Sequence, residues 1–194
     1  MAYRTYTTRA VVCGSRDSYT SDRSYLLFTE DAGMIWASAR SVRMEKSKQR
    51  YALQDFSILR VSLVRGRSGW KIGSSEALGN GFLAATTREE RGIVTAMTRL
   101  LRRYVHGEEV LPAVFADTVA TFDFVSVAEP DAYDPLLQLY TLRLLHALGY
   151  VRTDESIAPL LDAGETSDAL VSYEPSLEGM VAKHITQAEE VSHL

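Results

Sequence analysis

Cysteine is almost absent from this 194-residue chain: Cys13 stands alone, so neither an intrachain disulfide nor a cysteine-based zinc site can form. Long apolar runs are missing as well. The longest stretch without a charge, Ala77–Thr87, has 11 residues and includes two Gly and an Asn, whereas a membrane helix needs about 20 apolar residues. Arg4, Arg9 and Arg16 interrupt the first 16 residues, so no secretory signal is expected and a soluble cytoplasmic protein is. Neither the phosphate-loop pattern nor the Gly-x-Ser-x-Gly elbow occurs. His106 sits at a helix end, His146 reads as packed or half-exposed on a Leu-rich helix, His184 and His193 have no spacing suited to zinc, and Glu89-Glu90, Glu108-Glu109 and Glu189-Glu190 are ordinary surface pairs. No enzyme, cofactor or metal is expected. Gly79-Asn80-Gly81-Phe82-Leu83-Ala84 matches the dinucleotide fingerprint only formally. Without a βαβ setting or an acidic residue at the right distance it reads as an interdomain turn.

What is present is ordinary in amount and uneven in place. Hydrophobic residues make up 46% and charged residues 24%, which excludes wholesale disorder. The net charge of −4 divides into +6 over residues 1–76 and −10 over residues 77–194. Such asymmetry suggests an anion-binding part joined to a part with other work.

Periodicity divides the chain near the same place. Tyr6–Val12, Ser24–Thr29, Met34–Val42, Ser57–Val64 and Trp70–Gly73 are β-branched or alternating runs, separated by Gly14-Ser15, Glu30–Gly33 and Arg65–Gly69. Five short strands without a helix predict a small closed β-barrel. Beyond Ala77 the period becomes helical. Thr87 and Glu90 form a capping box before Ile93, Met97, Leu100, Leu101 and Tyr104, with Gly107 as a stop. Leu111–Val127 is a second apolar segment. A third helix is expected with Asp134 as N-cap, Pro135 at its first position and Gly149 just past its end. Residues 152–173 read as an acidic loop, and a last helix starts near Ser176. The expectation is an α+β chain, a β-barrel over 1–79 followed by an all-α domain over 80–194.

The densest chemical feature is Arg40–Arg50, where Arg40, Arg43, Lys46, Lys48 and Arg50 stand against Glu45 alone, with Ser41 and Ser47 as further donors. Phosphate oxygens favour this mixture. Trp36 lies before it, Tyr51 and Phe56 after it, and Trp70 further on. A basic groove beside flat side chains is one way to hold single-stranded nucleic acid. The plain alternative is a solvated loop, with the aromatics filling a core. Arg99, Arg102 and Arg103 put a basic stripe on the first long helix and Arg143 lies on the third, which suits an acidic peptide or a terminal carboxylate.

In Tyr6–Val12, Leu27–Gly33, Ala37–Arg43 with Lys46-Ser47-Lys48, Leu53–Phe56, Gly66–Trp70 with Glu76, and more weakly Leu142–Tyr150, the chain resembles the bacterial recombination mediator family RecO. The resemblance implies an N-terminal five-stranded OB-fold and a helical domain. It implies a DNA repair protein that binds single- and double-stranded DNA, anneals complementary strands, and works with RecR to help RecA onto strands coated by single-stranded-DNA-binding protein. It also implies recognition of that protein's acidic C-terminal tail, and a nucleoid-associated place in a bacterial cytoplasm. Carried onto this chain, Arg40–Arg50 contacts DNA backbone, helped by Arg9 and Arg16, with Trp36 and Tyr51 as stacking candidates. Arg99, Arg103 and Arg143 are the candidates for the tail pocket. The four-cysteine zinc module of many relatives has no counterpart here, so no metal is carried over. Two other classes stay open: an adaptor that docks protein and not nucleic acid, and an RNA-directed OB module.

Overall fold

The computed structural model describes residues 5–192 apart from 19, 20, 45 and 68. Arg4, Glu45, Ser68 and His193 of the sequence reading therefore lie outside the described residues. The chain divides into two compact units: Met1–Ala84 with Val105–Phe115, and Ala85–Tyr104 with Ala116–Leu194.

The first unit holds β1 (Thr5–Asp17), β2 (Arg23–Thr29), β3 (Gly33–Ala39), β4 (Ser57–Gly66) and β5 (Gly69–Asn80). Their order is β1-β2-β3-β5-β4, with β4 paired back to β1, so the sheet closes. All pairings are antiparallel except β3 with β5. This is an OB-fold, as the strand count and the resemblance imply. Alternation explains it. Ala10, Val12, Tyr25, Leu27, Ile35, Ala37, Leu59, Val61, Leu63 and Ile72 point into one buried cluster, while outward Trp36 and Arg60 stay exposed.

The strand ends differ from expectation in instructive ways. β1 runs past Cys13 to Asp17, because Cys13 is the extra residue of a bulge between Val12 and Gly14. β3 stops at Ala39 rather than Val42. Ser41 takes a left-handed φ of 53°, with its amide donating to Asp22 Oδ1 at 2.8 Å. β5 continues to Asn80 because irregularities at Ser62/Leu63 and Ile58/Leu59 absorb Gly73 and Leu78 while pairing with β4 goes on. Two short helices, α1 (Gln49–Ala52) and α2 (Gly81–Ala84), complete the first stretch. Phe56 stacks on Phe82 at 5.1 Å and is packing, not part of a basic groove.

Residues 105–115 fold against this barrel. Met34 N–H donates to Gly107 O at 2.8 Å, and Phe28 meets Phe115 at 5.6 Å. Gly33 makes the approach possible: its φ is +66°, and a Cβ there would lie 2.4 Å from Glu109 O and 2.7 Å from Gly107 O. Gly33→Ala is expected to cost at least about 1–2 kcal/mol through the left-handed backbone alone, and more because backbone must move. Urea unfolding followed by tryptophan fluorescence checks this; an unchanged midpoint would mean the 107–109 segment does not lie there.

The second unit contains α3 (Arg88–Tyr104), most of α4 (Pro112–Val125), α5 (Tyr133–Ala147), α6 (Ala158–Asp162), α7 (Thr166–Val171) and α8 (Glu178–Ser192). The Thr87 cap forms as expected: Glu90 N–H donates to Thr87 Oγ1 at 3.1 Å, and the Glu90 carboxylate accepts from Thr86 N at 2.6 Å. That backbone donor, with the Thr87 amide and the Tyr133 hydroxyl, holds the Glu90 carboxyl below the usual range.

α5 begins at Tyr133, not after Asp134, because the 3-10 turn Pro130–Ala132 runs straight into it. Pro135 is then its third residue, where an amide still needs no partner within the helix. Gly149, at φ 80°, closes the other end, with its N–H donating to His146 O and that of Tyr150 to Leu145 O. The expected loop over 152–173 contains α6 and α7. Reciprocal hydrogen bonds between Glu165 and Asp168 cap α7, an acidic version of the capping box. α5 packs against α3, α7 and α8 around Met97, Leu101, Leu136, Leu139, Tyr140 and Val181.

Candidate nucleic-acid interface

The basic segment forms the connection between β3 and β4, tied down at three points. Asp22 accepts the Ser41 amide, the Arg43 amide donates to Ser21 O at 3.2 Å, and Gln49 Nε2 donates to Gly73 O on β5 at 2.9 Å. Val42 (1% exposed) and Leu53 (3%) plug into the barrel core, so the charged side chains between them are left outside.

The five cations do not form one line. Arg40 and Lys46 line a cavity of about 550 Å³ with Ser38, Ser41, Met44, Ser47, Gln49, Lys71, Ile72 and Gly73. Its described lining residues hold three cations, three hydroxyls and no carboxylate. Arg43 and Arg50 line another cavity, of about 530 Å³, with Ser15, Arg23, Tyr25, Val42, Leu53, Gln54 and Asp55. Lys48 is exposed and lines neither.

Among the described residues no carboxylate pairs with Arg40, Lys46, Lys48 or Lys71. Arg43 is different, lying 3.4 Å from Asp17. Among the described residues, the cations of the first cavity therefore have no carboxylate counter-ion.

Arg9 has another task. Its Nη2 and Nε donate to both oxygens of Glu30, at 2.7 and 2.9 Å, and its guanidinium lies 5.3 Å from the Phe115 ring centre. The Arg9 hydrogen bond holds the Glu30 carboxyl below its usual range. Arg16 lies over Trp36 at 4.1 Å, and Trp36 is 39% exposed on the outer side of β3. Tyr51 is 63% exposed, with Arg50 over its ring at 4.7 Å. Both aromatics flagged beside the basic segment therefore sit in solvent, each with a guanidinium on its ring. Trp70 is engaged elsewhere: its Nε1 donates to Glu108 at 3.1 Å, its ring meets Tyr6 edge-on, and Arg65 also binds Glu108.

In the helical unit a further cavity, of about 450 Å³, is lined by Arg99, Leu100 and Arg103 of α3, Leu137, Gln138 and Thr141 of α5, and Ile185 and Glu189 of α8, among others. Arg103 pairs with Glu189 at 3.2 Å. Arg143 is not among the residues around this cavity. It is largely buried, pairs with Asp117 at 3.1 Å, and donates to the carbonyls of Leu160, Leu161, Ala163 and Gly164.

Sequence reasoning missed Lys71 and Arg23. A signal existed for Lys71: an OB-fold pairs its third and fifth strands, and that pairing sets Lys71 beside Ser38. Arg23 gave none, since it stands at the start of a strand away from the basic run. Among the described residues no helix is long and apolar enough to cross a membrane.

The family model described as recombination protein O N terminal matches residues 1–78. The DNA repair protein RecO of Desulfitobacterium hafniense (strain DSM 10664 / DCB-2) is 30% identical over 146 residues, covering 75% of this chain and 52% of the relative. That of Clostridium novyi (strain NT) is 25% identical over 145 residues, covering 75% of this chain and 56% of its own length. That of Dehalococcoides mccartyi is 26% identical over 118 residues, covering 61% and 47%. The chain spans about half the length of the curated relatives it matches. The N-terminal domain, residues 1–78, belongs to the RecO family, and similarity to RecO proteins runs well beyond it.

Proposed function

We propose that this protein acts in DNA repair and recombination by holding the DNA backbone on its barrel, at the cavity of Arg40, Lys46 and Lys71. The observation that carries the reading is the composition of that cavity: three cations and three serine hydroxyls around one space, with no carboxylate among its described lining residues. Such a set recognises phosphate and carries no base code, so binding is weakly sequence-dependent and falls with salt. Trp36 and Tyr51 supply faces on which bases of a single strand can stack, with Arg16 and Arg50 as cationic neighbours. Arg43, Lys48 and Arg50 extend the positive surface.

Binding of single- and double-stranded DNA, strand annealing, and RecA loading with RecR follow from this reading together with the family. So do a non-catalytic role and a site of action at the bacterial nucleoid. The cavity of Arg99 and Arg103 favours a second partner, the acidic C-terminal tail of single-stranded-DNA-binding protein. Its apolar side chains, Leu100, Leu137 and Ile185, lie beside two guanidiniums.

The test is fluorescence anisotropy of a labelled oligodeoxynucleotide over a salt series. Binding at low salt should weaken linearly on a logarithmic plot. Absence of binding at low salt would leave the adaptor reading, and binding restricted to an RNA oligonucleotide would favour the RNA module.

A further inference from the structure

We infer that Asp17 is an internal stand-in for a phosphate, closing a second anion site on the barrel until a nucleic-acid backbone displaces it. The inference rests on the reading that the basic segment binds nucleic acid. The site is the cavity of Arg23, Arg43 and Arg50. Asp17, the last residue of β1, lies with Oδ1 3.1 Å from Arg23 Nε and Oδ2 3.4 Å from Arg43 Nη1. One carboxylate therefore serves two guanidiniums from different segments, one oxygen each.

Both contacts are loose. Arg9 and Glu30, in the same unit, show what a committed pair looks like: two oxygens on one guanidinium, at 2.7 and 2.9 Å. The Asp17 oxygen near Arg23 also lies outside hydrogen-bond geometry, so that among the described residues the buried Nε of Arg23 has no hydrogen-bond partner. Asp17, Arg23 and Arg43 are 55%, 42% and 47% exposed, and pairs so accessible to water are weak and easily exchanged.

A phosphodiester fits better than Asp17. It carries its charge on two oxygens further apart than those of a carboxylate, which lets it meet Arg23 and Arg43 together. Arg50 and Ser15 also line the cavity, and its acidic member is Asp55. Asp17 holds Arg23 and Arg43 from beside the cavity without lining it; with its charge counted, three guanidiniums meet two carboxylates, and the site attracts anions feebly. With Asp17 displaced, the excess is two positive charges. Among the described residues the Arg40 cavity has no such internal anion, so a strand would engage it first and the Asp17 site second. The Ser41–Asp22 and Arg43–Ser21 hydrogen bonds hold the two cavities on one short segment.

Asp17→Asn tests this, read by anisotropy with a fluorescein-labelled oligothymidylate over a salt series. Glu76→Gln is the control: it makes the same charge change and releases Arg60 on the β4–β5 face, outside both cavities. Asp17→Asn should bind several-fold more tightly than wild type. Its logarithmic salt slope should steepen by about 0.7, the value for one more phosphate contact on a single strand. Glu76→Gln should match wild type, and Asp17→Asn/Arg43→Ala should return to wild-type affinity and slope. Asp17→Asn behaving like Glu76→Gln overturns the inference while leaving DNA binding intact. Binding by Asp17→Asn where wild type fails at low salt would uphold the inference in its strongest form. Failure of both proteins to bind overturns it along with the proposed function.

Discussion

Arg143→Ala is expected to lower the stability of the helical unit by about 3–5 kcal/mol, the typical cost of stripping one partner from a buried ion pair. The Arg143 and Asp117 side chains are only 12% and 11% exposed, so water cannot replace what the variant loses. Asp117 also accepts from the Thr166 amide at 2.6 Å and from Thr166 Oγ1 at 2.8 Å, at the first residue of α7. On the other side Arg143 donates to four carbonyls between Leu160 and Gly164, around the end of α6. One guanidinium thus satisfies the orphan acceptors of one short helix while its counter-ion satisfies a donor of the next. Arg143→Lys should recover only part of the loss, because one ammonium cannot reach a carboxylate and four carbonyls with a planar fork. Urea unfolding followed by circular dichroism measures both. A loss below about 1 kcal/mol for Arg143→Ala, the size of an exposed pair, would contradict this account.

The second large effect concerns DNA. Arg40→Ala/Lys46→Ala/Lys71→Ala should weaken binding of a single-stranded oligonucleotide roughly thirty- to a hundredfold at low salt. That is about 0.7–1 kcal/mol for each surface charge, at 1.4 kcal/mol for each factor of ten. The salt slope should fall by about 2, since each lost single-strand phosphate contact removes about 0.7. Arg88→Ala/Arg102→Ala/Arg152→Ala removes the same charge from exposed positions of the helical unit, and separates a local site from a general field. Equal losses in the two triple variants would place binding in the net charge and not in the cavity.

Much of this was legible in the sequence because it depends on short-range periodicity. The inward residues of five strands, the Thr87 cap and the Gly149 stop each follow from a few neighbouring residues, and the structure has them. Boundaries set by distant partners were not legible. Ser41 ends β3 because Asp22 receives its amide, and β5 runs on to Asn80 because bulges in its pairing with β4 absorb Gly73 and Leu78.

The basic segment was visible as composition, but its distribution over two cavities was not. That depends on Val42 and Leu53 being plugs and on Lys71 arriving from another strand. Arg9 and Arg143 look like surface cations in a list of residues. Only three-dimensional partners show that Glu30 occupies one, and that Asp117 and four carbonyls occupy the other.

The return of Val105–Phe115 to the barrel unit sets the order of events during synthesis. Phe28 is fully buried beside Phe115, and Gly33 is shaped to receive the backbone of 107–109. When Asn80 leaves the ribosome all five strands are outside, yet the closing piece has still to emerge, with the whole of α3 ahead of it. At roughly 5–20 residues per second the nascent barrel waits seconds with Phe28 uncovered. The barrel of this chain is therefore not a cassette that can be cut at the end of its last strand and moved elsewhere. Its natural excision point lies beyond Phe115, inside the helix that carries the chain onward.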